Sequence, residues 1–230
     1  MAKSTISTRW SKKLAYAIGL IVSDGNMSPD GRHVTFTSKD LDLIEQFLRA
    51  LNIEGYHVGR KSRGHELEKK YFVVQIGDVR FYRFLLGIGI MQRKSKILQE
   101  IQMPKNLLPH FVRGVFDGDG TCYSYYDPRW KSSFMVYTAF VSASPIFLTW
   151  LQKYLDATYG IQGTISAMVK HVQQLRYAKK ASRKLFSIMY RNADNLYLKR
   201  KYLKLSEALA ILPSVQEKNA RVEKLVNSPA

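Results

Sequence analysis

Apolar residues fall along this chain in a small set of spacings that recur. Leu14 to Gly25, LAYAIGLIVSDG, is an almost unbroken apolar run that ends in one carboxylate and a glycine. Its length and its small residues at every fourth position predict a buried helix. Arg32 to Ser38 then alternates, with Val34 and Phe36 set against His33, Thr35 and Thr37, which predicts a half-buried strand. Leu41, Ile44, Phe47, Leu48 and Leu51 return to helical spacing, and Gly55 closes that element. GYHVGRKSRG and KKYFVVQIG predict a hairpin of two strands, and Arg80 to Gly87 a short helix followed by a basic turn, Arg93-Lys94-Ser95-Lys96.

The second half repeats this order. LPHFVRGVFDGDG, Leu108 to Gly120, is again an apolar helix ending in an acid and a glycine. Ser132 to Ser142 alternates as a strand, and Pro145 opens a helix carrying Ile146, Leu148, Leu151 and Leu155, broken by Gly160 and Gly163. Strands are expected near Thr164–Lys170 and Leu175–Leu185. A helix then leads to a second basic turn, Leu198-Lys199-Arg200-Lys201, and a last helix spans Tyr202 to Ile211. Each half reads as helix, two strands, helix, two strands, helix. The expectation is an α+β chain of two αββαββα repeats, residues 10–105 and 106–212, with a charged tail over 213–230. The second repeat has about nine extra residues after its first helix, so longer strands are expected there.

Aligned on their last residues, Gly19, Asp24 and Gly25 coincide with Gly114, Asp119 and Gly120. Ala15, Gly19 and Ser23 form one small-residue stripe, and Gly114 and Gly118 another. Such stripes let two helix backbones approach closely. If the helices pack along them, Asp24 and Asp119 emerge side by side. That placement is electrostatically poor. A helix C-terminus is already partly negative, and two adjacent carboxylates disfavour each other's ionised form. A divalent cation with oxygen ligands answers both objections, and Mg²⁺ is commonly held by one or two carboxylates with phosphate and water. The carbonyls of Ser23 and Gly118 are candidates to complete such a site. Asp-Gly is also a common way to end a helix, but that reading leaves the matched pair unexplained. Asp117 faces Val22 in the alignment and is read as structural or supporting.

Charge identifies the partner. Lys and Arg number 36 against 18 acids, a net +18 spread over both halves, while 46% hydrophobic residues support a folded core. A polyanion is the expected partner, bound through phosphate neutralisation. No segment reaches the roughly 18 apolar residues of a membrane span. Cys122 is alone, which excludes a disulfide framework and a cysteine-based zinc site. The first residues, MAKSTISTRWSKK, lack a signal-peptide core, so an intracellular setting is expected, a prokaryotic cytoplasm or an organelle.

The two motifs resemble the helices of LAGLIDADG homing endonucleases in their single-chain, two-motif form. FVRGVFDGDG is a close match, while AIGLIVSDG departs at Val22 and Ser23. The resemblance implies two sheets forming a saddle over a long, asymmetric double-stranded DNA site. It implies a monomer that cuts across the minor groove with Mg²⁺, leaving 3′ overhangs, with Mn²⁺ or Ca²⁺ able to substitute in binding. It further implies that the gene lies in a mobile intron, with intron RNA as a further partner. Asp24 and Asp119 take the metal-binding, catalytic role. A basic residue serves each scissile phosphate, Lys94 or Lys96 in the first half and Lys199 or Lys201 in the second. Lys39 matches a polar position of the water network, but its counterpart is Ala143, so the two sites are not expected to be equivalent. Base and phosphate contacts are expected on outward strand positions. In the first half these are Arg32, His33, Thr35, Thr37, Arg60, Lys61, Arg63, Tyr71 and Gln75. In the second they are Arg129, Lys131, Ser133, Tyr137, Lys170, Arg176 and Lys180. The other reading is a member of the same fold that binds DNA as a regulator, or RNA as a maturase, without cutting. Retention of both acids argues against it.

Overall fold

The alternating and helical spacings resolve into two four-stranded sheets and seven helices in a computed structural model of the chain, which describes residues 6–62, 68–168 and 171–211. The first repeat runs α1 (Lys12–Asp24), β1 (Gly25–Met27), β2 (His33–Ser38), α2 (Leu41–Leu51), β3 (Gly59–Lys61), β4 (Tyr71–Gly77) and α3 (Val79–Gly87). The second runs α4 (Leu108–Asp119), β5 (Thr121–Asp127), β6 (Trp130–Ser142), α5 (Pro145–Tyr159), β7 (Thr164–Ala167), β8 (Gln173–Ala178) and α6 (Lys179–Tyr190). A further helix, α7 (Lys199–Ala210), follows. Strand order is β1-β2-β4-β3 in one sheet and β5-β6-β8-β7 in the other, so the two repeats share one topology. All strand pairs are antiparallel.

Alternation decides which face each sheet buries. Val34, Phe36, Val74 and Ile76 turn inward in the first sheet, and Val136, Phe140, Leu175 and Tyr177 in the second. The helices cover these faces. Local signals set the helix ends. Ser11 caps α1 by accepting from the Leu14 N–H (3.1 Å), and Asp78 caps α3 by accepting from the Phe81 N–H (2.9 Å). Ser144 caps α5 with Pro145 in its first turn, and Gly160 ends it in the left-handed region at φ 59°. The extra residues of the second half go into a long β5–β6 hairpin, 7 and 13 residues against 3 and 6 in β1–β2. Among the described residues no helix is long and apolar enough to cross a membrane.

Three expectations need correction. The strand expected over Leu175–Leu185 stops at Ala178, because alternation ends at Tyr177. Ser182, Leu185 and Met189 then bury at helical spacing, so α6 begins at Lys179. The strand expected near Thr164–Lys170 is β7, Thr164–Ala167, with residues 169–170 outside the described residues. The last helix begins at Lys199 rather than Tyr202 and is an addition to the second repeat, whose own third helix is α6. The tail over 213–230, Arg63 and Lys170 lie outside the described residues, and of Lys131 only the backbone is described.

Candidate active site

α1 and α4 form the central helix pair of the molecule. A Cβ built on Gly19 would sit 2.2 Å from the Phe111 carbonyl oxygen and 2.9 Å from Gly114 Cα. One on Gly114 would sit 2.2 Å from the Tyr16 carbonyl oxygen. The two backbones therefore touch at these glycines, and any side chain would separate them. Ala15 is fully buried in the same helix. At the C-terminal ends the approach continues. A Cβ on Gly118 would meet Ser23 Oγ at 1.8 Å and the Asp24 carboxylate at 3.0 Å. Asp24 and Asp119 are thus delivered from two abutting helix ends. Gly25 and Gly120 turn the chain sharply back into β1 and β5, so close that a Cβ would lie 2.6 Å from the carbonyl four residues earlier.

Two lysines close over these ends. The Lys94 ammonium is buried and donates to the Gly25 carbonyl at the end of α1. The Lys201 ammonium donates to the carbonyls of Phe116 (2.8 Å), Gly118 (2.7 Å) and Gly120 (2.6 Å) at the end of α4. Each cation satisfies orphan carbonyls and the negative pole of the helix that carries the acid. Burial pulls both amines down to about 8, and the attraction of Asp24 and Asp119 opposes the fall in both cases. Burial raises the Asp119 carboxyl, while Lys201 and Lys94 lower it. Asp24, Asp119, Lys94 and Lys201 are therefore one electrostatic cluster. Lys96 and Lys199 are exposed, and the structure does not bring them to the helix ends. Of the two candidate carbonyl ligands, that of Gly118 accepts from Lys201; the Ser23 hydroxyl donates back to the Leu20 and Gly19 carbonyls of its own helix.

A buried network lies beneath the seam. Asp117 is fully buried and accepts from the Tyr16 hydroxyl (2.9 Å) and the Leu198 N–H (2.8 Å). Burial pushes it up to about 6 against those two hydrogen bonds. It ties α1 to α4, and α4 to the start of α7, three residues before Lys201. Arg113 is also buried, donating to the Leu196 and Met189 carbonyls (both 2.7 Å) and to His110 Nδ1 (3.1 Å). Burial and then the Arg113 charge hold His110 down at about 4, so it is neutral and free to accept. A helical carboxylate and arginine spaced to face inward, Arg113 and Asp117 four apart, were the only signal available.

Beside Asp24 the first half opens a cleft of about 770 Å³ whose walls include Lys39, Lys61, Tyr71, Lys94 and Arg200. Lys39 lies over the Tyr71 ring at 5.1 Å. Arg200 reaches across from α7 and pairs with Asp40 at 2.5 Å.

Partners in an antiparallel ladder share a face, which fixes the strand phase of the expected DNA contacts. His33, Thr35, Thr37, Gln75 and Tyr71 with its partner Lys61 lie on the outer face of the first sheet. His33 is engaged by Asp30 at 2.5 Å, a bond that holds the Asp30 carboxyl down at about 2. On the second sheet Tyr137 and Arg176 face outward, with Arg176 4.9 Å over the Tyr137 ring. Tyr123 and Tyr125 stack on Tyr137, centroids 5.2 and 6.1 Å apart. Ser133 accepts from Lys179 at 3.0 Å. Four placements differ from expectation. Arg60 pairs with the inward Phe72 and stacks on it at 4.7 Å, so it lies on the helix side of an edge strand with no alternation to read. Arg32 and Arg129 sit in turns, Arg129 clamped by Asp127. Lys180 is in the exposed first turn of α6.

This architecture is that of a known class. Residues 11–96 match the family model of a LAGLIDADG-like domain. Among solved structures, the homing endonuclease I-WcaI bound to its DNA recognition sequence is 15% identical, with 88% of this chain and 88% of that chain covered and a TM-score of 0.58. Mesophilic variants of the homing endonuclease I-DmoI are 16% identical, covering 85% of this chain and 97% of that one at a TM-score of 0.54. Full-length DUF199/WhiA from Thermatoga maritima is 13% identical, covering 94% and 67% at 0.52. I-DmoI has also been solved with DNA and Mn, with its target DNA in the presence of Mg, and with DNA and Ca. No curated protein sequence matches. The chain therefore has the LAGLIDADG fold with both repeats in one polypeptide.

Proposed function

We propose that this protein is a site-specific double-strand DNA endonuclease of the homing type, acting as a monomer. The observation that carries the reading is the pair of carboxylates, Asp24 and Asp119, at two abutting helix ends beneath the buried Lys94 and the half-buried Lys201, in a chain of charge +18. A DNA-binding scaffold has no need to bury cations against paired acids. The DNA bound by I-WcaI and I-DmoI, and the divalent ions with which I-DmoI has been solved, support the same assignment here.

The donor set fits a hard divalent cation. Two carboxylates stand at the abutting helix ends, Asp24 half-buried and Asp119 exposed, and among the described residues no third His, Cys, Asp or Glu joins them. Asp24 and Asp119 would hold Mg²⁺ with phosphate and water as the remaining ligands. Such an ion, when bound, activates water and stabilises the leaving oxygen in displacement at phosphorus. The chain's own groups do the rest. Hydrolysis adds one water across one P–O3′ bond in each strand. The water oxygen joins phosphorus, O3′ leaves and takes a proton, and a 5′-phosphate and 3′-hydroxyl result. Lys94 and Lys201, fixed by backbone carbonyls, place positive charge where the phosphate gains negative charge. With pKa values of about 8 they are also poised to exchange a proton near neutral pH. The outer sheet faces carry the base and phosphate contacts. An intron setting and intron RNA as a second ligand belong to the same proposal.

The test is cleavage and gel shift on one DNA, a target selected from a randomised library with Mg²⁺. Asp24→Asn and Asp119→Asn should each abolish double-strand cleavage and leave binding nearly unchanged. Full cleavage by either variant refutes the assignment. Wild-type protein that shifts DNA without cutting any sequence would instead make this a binding protein of the same fold.

A further inference from the structure

The two repeats can be superposed strand by strand, and the result is unequal at the site. Phe36 pairs with Val74 in the first sheet as Phe140 pairs with Leu175 in the second, all four facing inward. Counting from these anchors, Lys39 falls on Ala143 and Tyr71 on Val172. Lys61 pairs with Tyr71, and the residue bonded opposite Val172 is Met168, whose N–H donates to the Val172 carbonyl at 2.8 Å. The polar wall of the first cleft, Lys39, Lys61 and Tyr71, is thus replaced by Ala, Met and Val in the second half. The acid and the lysine bonded to the helix-end carbonyls are kept in both, Asp24 with Lys94 and Asp119 with Lys201. Arg200 also contributes to the first cleft. It belongs to α7, yet it lines the first-half cleft and is held there by Asp40. Asp40 in turn superposes on Ser144, which donates to the Leu98 carbonyl and offers no anion.

We propose that the first half-site grips a backbone phosphate through Lys39, Lys61 and Arg200, that the second lacks the cations matching Lys39 and Lys61, and that the two DNA strands are therefore cut in a fixed order. This rests on the nuclease reading above. Arg200 exchanges Asp40 for phosphate when DNA enters, so the ion pair keeps the guanidinium aimed at the cleft in the free protein. The phosphate gripped by Lys39, Lys61 and Arg200 gains more stabilisation as its charge develops than one beside Ala143 and Met168 at the matching positions. The strand served by the first cleft is opened first, one water added across its P–O3′ bond, and a nicked duplex accumulates before the second strand is opened by the same chemistry.

The experiment uses the full chain, Mg²⁺, and a target duplex with a different label on each strand. Wild-type protein should cut one strand about tenfold or more faster than the other. Lys61→Met, which writes the second-half residue into the first half, should slow only the fast strand. Lys61 is exposed on an edge strand, so the fold survives the change. Met168→Lys should speed only the slow strand. Equal rates on both strands in the wild type, or a Lys61→Met variant that slows both alike, overturns the proposal. Phosphate ethylation interference on the same duplex, with Ca²⁺ in place of Mg²⁺, reads the grip without cleavage. One-sided interference that Lys61→Met abolishes supports unequal grips even if no strand is cut, in which case the nuclease reading and the strand order fail and the grip stands. Symmetric interference refutes the grip itself.

Discussion

Replacing Gly19 by Ala adds one methyl group where α1 and α4 touch, and the structure shows what it meets. The new carbon would lie 2.2 Å from the Phe111 carbonyl oxygen, 2.8 Å from the Val115 nitrogen and 2.9 Å from Gly114 Cα. Ordinary contact for such atoms is about 3.5 Å, so the overlap exceeds 1 Å. All three atoms are backbone of the facing helix, and no side chain can swing away. The helices must separate. Overpacking of this kind costs about 1–3 kcal/mol, and the absence of any yielding side chain puts Gly19→Ala at the upper end. Helix propensity returns about 1 kcal/mol. The net loss is about 2 kcal/mol, which for a chain of this size lowers Tm by about 4–8 °C. Cleavage should fall further than stability, because a shift of about 1 Å between catalytic groups costs on the order of a hundredfold in rate. Gly55→Ala is the control: nothing lies within 4 Å of its added Cβ. Thermal melts and cleavage rates at a temperature where both variants are folded make the measurement. A Gly19→Ala protein that melts within 1 °C of wild type and cuts normally would show that the helices do not meet there.

Lys94→Met should be more stable than wild type at neutral pH while losing cleavage. Burial holds this amine at about 8 instead of 10.5, so the unfolded chain binds more protons across that window and wild-type stability climbs with pH through it. Below pH 8 the variant escapes a penalty of about 3 kcal/mol and loses a hydrogen bond to the Gly25 carbonyl worth about 1, and its advantage in urea denaturation should vanish by pH 10.5. On the sheets, Arg176→Ala should weaken target binding by about 1–3 kcal/mol, whereas Arg60→Ala, on the helix side of its strand, should leave affinity and salt slope unchanged. Affinity measured at several salt concentrations decides between them, and equal losses from both would mean that the first sheet meets DNA by its other face.

What could be read in advance was whatever repeats locally. The strand alternation around Val34 and Phe36, the helical spacing of Leu41 to Leu51 and the glycines of the two matched motifs each follow from neighbours within a turn or a strand. So did the two-repeat α+β fold. Lys94 could not be told from Lys96, nor Lys201 from Lys199. Which of two lysines in a basic turn is buried depends on how that turn crosses a helix end far away in sequence. Lys179 to Leu185 was misread for a related reason. Tyr177 closes an alternating run, and the helix that follows announces itself only through Ser182, Leu185 and Met189, which alternation also partly fits. Asp117 had no symmetric partner in Val22, so its link between Tyr16 and Leu198 was invisible without the helix pair that brings them together.

The balance of charge within the site explains why the rest of the surface is so basic. Asp24 and Asp119 are matched one for one by Lys94 and Lys201, and both lysines are spent on helix-end carbonyls as well. The helix ends themselves therefore offer little net attraction to a phosphate backbone. The excess of +18 must act from the walls around them, through groups such as Lys39, Lys61 and Arg200 at the first cleft and Arg176 on the second sheet. Those walls differ between the repeats, while the acids and the helix-end lysines do not. On the proposed nuclease reading, two repeats that share their helix-end groups and differ in their walls would differ in where and how tightly each half holds DNA without any change in the groups that act on it, and asymmetry between the halves would then be a property of binding before it is one of chemistry.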